Sequence, residues 1–275
     1  AYVNLKARHN LNFTIGKQFV NFGGYEYYVN SIRVREFSEF NNLLTAYQAG
    51  ISGNWQVSPD HELCFQIVNN RNGNDEDIYP TGLPEGTAKA KIPFMYTVNW
   101  NSYYLDKSLQ LRYATAVGQQ TRKRYSYYFT CGNTYEKGPL LTYLDVMYTR
   151  QGIDQHGVVS RLPGTPHTAM NTEYLSIIGD VDYRVHPQWN VYVKGAYETA
   201  RVYKGNGDFR KGMYRRSWNA QSSVEFFPFK QFDLFVFVLY TYRGVILEKA
   251  ATRMGAIEPD THRISLGLVY SIPVF

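Results

Sequence analysis

A two-faced alternation of apolar and polar residues recurs along nearly the whole chain, and no other feature restricts its fold as strongly. In Leu175 to Arg184, Leu175, Ile177, Gly179, Val181 and Tyr183 form one face, while Ser176, Asp180, Asp182 and Arg184 form the other. In Ser217 to Phe227, Trp218, Ala220, Ser222, Val224 and Phe226 oppose Ser217, Asn219, Gln221, Ser223 and Glu225. In Leu109 to Gln120, Leu111, Tyr113 and Val117 oppose Gln110, Arg112 and Gln120. A period of two belongs to strands, whose successive side chains point to opposite faces. One such strand also suits the half-wet sheet of a soluble sandwich. Repetition without a strong helical segment to cover a sheet points instead to a sheet closed on itself, with very low helix content.

The connections between these segments alternate in length. Short turns are expected at His9-Asn10, Ser58 to Asp60, Asp106-Lys107, Glu136 to Pro139, His186-Pro187 and Phe229-Lys230. Long connections are expected at Asn21 to Leu44, Arg71 to Lys91, Gln151 to Asn171, Lys204 to Met213 and Gly244 to Asp260. All long loops then lie at one end, the arrangement of a bacterial outer-membrane barrel with short periplasmic turns and long external loops. The last segment, His262 to Phe275, is an alternating strand closing on an aromatic residue, as the final strand of such barrels commonly is; Pro273 interrupts its alternation.

Composition agrees. The chain has 25 Tyr and 16 Phe, yet its mean hydropathy is -0.39. An apolar outer band, aromatic girdles and a wet interior reconcile the two values. Trp55, Trp100, Tyr103, Tyr104, Tyr148, Tyr203 and Tyr242 fall near strand ends, where interfacial belts form. No run approaches the roughly 20 apolar residues of a helical span. Cys64 and Cys131 fit no metal or redox spacing and read as isolated thiols in strands. The formal charge of +6 comes from scattered basic residues rather than a cluster, so nucleic acid is not an expected partner. The histidines show no HExxH spacing, and neither a Gly-x-Ser-x-Gly element nor a phosphate-binding glycine loop occurs. No chemical step and no cofactor are therefore expected. The acidic run Asn74 to Asp77 lacks the spacing of a calcium loop and reads as an exposed loop.

Several motifs carry a family resemblance. Ala1 to Ala7 (AYVNLKA) and Leu11 to Gly24 (LNFTIGKQFVNFGG) resemble the core of the phosphate-selective porin O/P family, with Gly16, Lys17, Phe19, Phe22 and Gly23 matching its pattern and Asn21 standing where proline is common. Glu62 to Asn74 resembles the family's strand ending in an FNG-like turn, and Leu141 to Asp154 a later strand and loop entry. The resemblance implies an all-β transmembrane antiparallel β-barrel of about sixteen strands, assembled as a homotrimer in the outer membrane of a Gram-negative bacterium. About thirteen strands are visible as one domain, 1–275, so about three N-terminal strands are expected to be missing. It also implies that 21–44 is a constriction loop folded into the lumen. Its constriction residues would be Arg33 and Arg35, accompanied by Glu26, Glu36 and Glu39.

Strand parity gives an expected pore lining of Lys6, Arg8, Arg112, Arg184, Lys194, Arg215 and Arg243. The same parity turns Asp145, Asp180, Asp182, Glu198, Glu225 and Asp233 inward. A one-residue slip would reverse every assignment on that strand. Two readings stay open. In one, cations filter anions such as phosphate, because low-dielectric walls focus the field and arginine pairs oxyanions through parallel hydrogen bonds. In the other, the wall is laced with ion pairs, and Glu36 or Glu39 anchors the loop to it. The expected function is passive passage of small anionic or hydrophilic solutes. The alternatives are a plugged barrel serving an outer-membrane assembly, a general or sugar-permissive pore using Tyr25, Tyr27 and Tyr28, and a secreted all-β binding module that would stay soluble without detergent. Expected partners are outer-membrane lipid, lipopolysaccharide phosphates near Thr121 to Arg124, and other envelope proteins.

Overall fold

The computed structural model describes the chain except residues 1, 30–35, 41–45, 71–78, 80, 89, 92, 156, 163–166, 230–233 and 271–275. Its strands are β1 (Tyr2–Arg8), β2 (Leu11–Phe19), β3 (Tyr47–Ser58), β4 (His61–Asn69), β5 (Phe94–Tyr104), β6 (Leu109–Thr121), β7 (Arg124–Lys137), β8 (Leu140–Ile153), β9 (Met170–His186), β10 (Trp189–Val202), β11 (Gly212–Phe226), β12 (Leu234–Leu247) and β13 (Thr261–Tyr270). Among the described residues, the named elements besides the strands are two single-turn helices, α1 (Tyr25–Tyr28) and α2 (Lys249–Thr252), and a 3-10 turn at Val159–Arg161.

All thirteen strands form one sheet in sequence order, so each pairs with its chain neighbours. The pairs are antiparallel, and among the described residues β1 and β13 are edges that do not pair with each other. The expected low helix content and the alternation of short and long connections both hold, with two local differences. The segment Thr121 to Arg124 lies at the long-loop end, but β6 and β7 meet there in a tight turn through Arg122 and Lys123. The strand β12 also runs on to Leu247, because Arg215 and Arg216 extend the ladder opposite Leu247 and Ile246. Pro273 and Phe275 lie outside the described residues.

The two faces of the sheet differ as the alternation demands. One carries a broad band of exposed apolar side chains, among them Phe65, Ile67, Val98, Phe129, Val181, Val193, Val238 and Leu266. So much apolar area, at about 25 cal/mol per Å², needs an apolar medium over it. No helix among the described residues is long and apolar enough to cross a membrane, and the strands carry the apolar band.

The inner face is drier than expected. Residues of the β2–β3 connection fold across it and bring Phe22 and Phe40, 0% and 1% exposed, against Tyr128, Met147 and Ile178. The rings of Phe22 and Phe40 stack 6.3 Å apart, and Tyr128 meets Phe22 edge-on at 5.6 Å. A core has thus formed on the face that alternation alone marks as polar. The reason is topological, since one chain segment fills the space and supplies its own apolar partners.

Candidate functional site

The inner face is organised by this infolded segment. It leaves β2 at Val20, turns at Gly23 in the left-handed region (φ 110°), and enters α1. Glycine is required where it meets the wall. A Cβ on Gly132 of β7 would fall 2.7 Å from the Cα of Gly24, and a Cβ on Gly24 would collide with the Asp145 carboxyl. The segment then touches β10, β11, β12 and β13 through charged side chains, so the sheet must curl around it.

Glu26 is the first anchor and is 1% exposed. Its carboxylate pairs with the Lys194 ammonium and accepts hydrogen bonds from the Tyr143 hydroxyl (3.2 Å) and the Ser38 amide (3.0 Å). The Glu26 amide in turn donates to Asp145 (3.3 Å). Lys194 also donates to the Glu36 carbonyl at 2.7 Å. A buried charge is tolerated only when paired and hydrogen-bonded, and this pair meets both conditions.

Glu39 is the second anchor. Arg215 reaches both its oxygens at 2.6 Å and makes a two-point contact with Glu258 from the β12–β13 connection at 2.7 and 2.8 Å. Arg243 pairs with Glu39 as well and lies 3.6 Å from Glu258. The Glu39 amide donates to Glu198 at 2.8 Å, and Glu198 also accepts from the Ser176 hydroxyl at 2.8 Å. A third pair joins Arg263 of β13 to Glu36. Planar guanidinium groups suit these two-point contacts, which a lysine could not reproduce.

Three of the sequence-predicted lining residues, Lys194, Arg215 and Arg243, are therefore clamps on the infolded segment. Arg112 faces inward but lies over the Tyr28 ring, 3.8 Å from its centroid. Burial pushes the Tyr28 phenol well above its usual range despite the opposing pull of Arg112. Burial raises Tyr27 too, helped by the neighbouring Tyr28 and Tyr47. Arg184 turns down onto Phe227, 3.8 Å from its ring centroid, and donates to the Pro187 carbonyl. Lys6 stands opposite Asn12 on the inner face and is exposed. Arg8 departs from simple parity. A bulge between Lys6 and Arg8 sets Arg8 opposite Leu11, and it borders an apolar outer groove with Phe13, Trp55 and Phe65. Arg33, Arg35 and Asp233 lie outside the described residues, as does Asn74 to Asp77.

Sequence parity missed the pairing roles of Arg263 and Glu258. The alternation of His262 to Tyr270 places Arg263 inward, but nothing local marks Glu258, which sits in a connection. The tyrosines available for sugar stacking are turned to the wall: Tyr25 stacks on Tyr143 at 4.6 Å, and Tyr27 packs on Phe19 at 4.9 Å. Cys64 and Cys131 are free thiols, Cys64 meeting the Asn21 amide at 2.8 Å. Within the Thr121 to Arg124 patch, Arg124 is engaged with the Gly152 carbonyl and Asn171. At the long-loop end, Asp154 organises the β8–β9 connection by accepting from Ser160, Thr172 and Tyr174. Burial raises its carboxyl against the lowering effect of those donors.

Below α1, toward the short turns, the inner face opens into a cavity of about 470 Å³. Asp180, Asp182 and Glu225 line it with Tyr143, Tyr192 and Phe227. The Asn190 amide bridges Asp182 (2.7 Å) and Glu225 (3.2 Å). Asp180 is 4% exposed, and neither of its carboxylate oxygens has a hydrogen-bond partner among the described residues.

Comparison with known proteins places this architecture. The family model described as "Phosphate-selective porin O and P" matches residues 1–272. No curated protein is matched by sequence. Among solved structures, the outer membrane channel DcaP of Acinetobacter baumannii superposes with a TM-score of 0.65 at 12% identity, over 94% of this chain and 71% of that one. An anion-selective porin from Comamonas acidovorans gives 0.58 at 10% identity, over 97% and 76%. The trimer form of OmpT from Vibrio cholerae gives 0.53 at 13% identity, over 97% and 77%.

Proposed function

The chain belongs to the phosphate-selective porin O and P family, and from that premise we propose that this outer-membrane channel passes small hydrophilic solutes by passive diffusion with a weak bias to anions such as phosphate. The observation that carries the reading is the infolded segment, clamped across the inner face by Glu26, Glu36 and Glu39. Such a segment narrows the path where a side chain's charge acts most strongly on a passing ion. We take 21–44 as the constriction, with Arg33 and Arg35 as its cations and Lys6 and Arg112 as supporting charges on the wall. The bias is weak because Lys194, Arg215, Arg243 and Arg263 are already neutralised by carboxylates. The family description, one anion-selective structural neighbour and the formal charge of +6 support its sign. Passage involves no chemical step. A homotrimer is the assembly we propose, supported by the trimer form of one structural neighbour and by the exposed apolar groove over β2 to β5.

The reversal potential of the protein in a planar bilayer under a salt gradient, repeated with phosphate, tests this. Anion selectivity reduced by phosphate is the expected result, and loss of selectivity in Arg33→Ala/Arg35→Ala would assign it to the constriction. Unselective conductance would leave a general or sugar-permissive pore. A second reading, a plugged barrel serving an assembly, is favoured by the apolar cluster around Phe22 and Phe40. Absence of conductance from folded protein would establish it.

A further inference from the structure

The cavity below α1 combines features that the passage of anions does not use. Its charged lining is acidic, with Asp180, Asp182 and Glu225 on β9 and β11. The one cation of its lining among the described residues, Arg184, is committed to the Phe227 ring and the Pro187 carbonyl. The Asn190 amide is spent on Asp182 and Glu225, and the Tyr143 hydroxyl on Glu26. Lys194 stands directly across the ladder from Asp180, yet its ammonium is held by Glu26 and the Glu36 carbonyl. Asp180 is therefore a buried carboxylate with no hydrogen-bond partner among the described residues, lining an open space. Burying a carboxylate without a partner is costly, which makes such a group a marker for a missing donor.

The remaining lining shows what the donor should be attached to. Tyr25 and Tyr143 form a stacked pair at the roof, and Phe227 and Phe235 pack at 4.9 Å beside the short turns. Aromatic faces attract cations through their quadrupole. A bare metal ion is a poor fit, since no three acidic, histidine or cysteine side chains among the described residues converge as ligands would. A sugar needs donors as well as acceptors from its site, and the donors identified here are engaged. Fixed acceptors and aromatic walls call for a ligand that brings its own N–H groups and an apolar body.

We propose that the cavity bounded by Asp180, Asp182, Glu225 and the tyrosines beneath α1 is a binding subsite for an organic ammonium solute. The ammonium would donate to Asp180, with Asp182 and Glu225 supplying the surrounding negative field, and the carbon body would lie against Tyr143, Tyr192 and Phe227. The cavity is of the size that small organic ligands occupy. This subsite goes beyond the anion-biased passage proposed above and does not depend on it.

The test is titration calorimetry of the folded protein in detergent micelles, so it stands whether or not the protein conducts. The probe is 2-phenylethylammonium, with its neutral analogue 2-phenylethanol as control. The expected result is saturable binding of the ammonium, none of the alcohol, and a loss of about tenfold or more in Asp180→Asn, as removal of a charged partner predicts. Equal binding of the alcohol would overturn the proposal, as would a loss below about threefold in Asp180→Asn. Retained heat-dependent gel mobility would confirm folding of the variant. Should Asp180→Asn not fold, Glu225→Gln on β11, on the far side of β10 in the same sheet, is judged by the same threshold.

Discussion

The two parts of the inner face bordering the infolded segment use the same side chains to opposite ends. Above, at β10 to β13, Lys194, Arg215, Arg243 and Arg263 each meet a carboxylate carried by the segment or by the β12–β13 connection. Below, at β8 to β11, Asp180 has no hydrogen-bond donor among the described residues, and the nearby arginine is turned away onto Phe227. Charge in the first region holds the chain in place. In the second it is left available to something that enters. A count of inward-facing cations would have assigned those roles the other way round.

The largest effect should come from breaking the closed region. Lys194→Met leaves Glu26 buried without its counter-charge and should cost about 3–5 kcal/mol, read from urea unfolding of the protein in micelles. Glu26→Gln in the same chain should recover most of that loss; no recovery would mean that Lys194 acts through some other contact. Next comes the close approach that lets the segment lie against the wall. Gly132→Val should destabilise by about 1–3 kcal/mol through overpacking against Gly24, and single-channel conductance should rise as the segment is displaced. Unchanged conductance would separate the segment from the conducting path.

The open region should respond with the opposite sign. Asp180→Asn removes a buried charge that has no hydrogen-bond partner among the described residues, and should leave stability unchanged or raise it by about 1 kcal/mol. A loss as large as that of Lys194→Met would show that Asp180 is a structural partner after all. The smallest effect belongs to Arg112, whose replacement by leucine forfeits a cation–π contact of about 0.5–1 kcal/mol. The reversal potential should then shift toward cations while the fold persists.

Much of the architecture was legible in the chain. The alternation in Leu175 to Arg184 and Ser217 to Phe227 gives the same inner faces that the ladders of β9 and β11 show. Pro59, Pro139 and Pro187 mark short turns because proline cannot donate to a ladder. Arg8 was misread by parity, since a bulge is a local irregularity that leaves no trace in a two-residue period. The site was less legible. Lys194, Arg215 and Arg243 could be placed on the inner face, but nothing near them in sequence foretells Glu26, Glu39 or Glu258.

Sequence alone determined the strands, their faces, the end at which the long connections gather and the family, because each of these is written in short-range periodicity and local motifs. The fold decided which charges are spent and which are free. That depends on one segment crossing the inner face to meet strands distant in the chain, and the pairing of a buried charge is settled only when the chain brings a partner within hydrogen-bond reach.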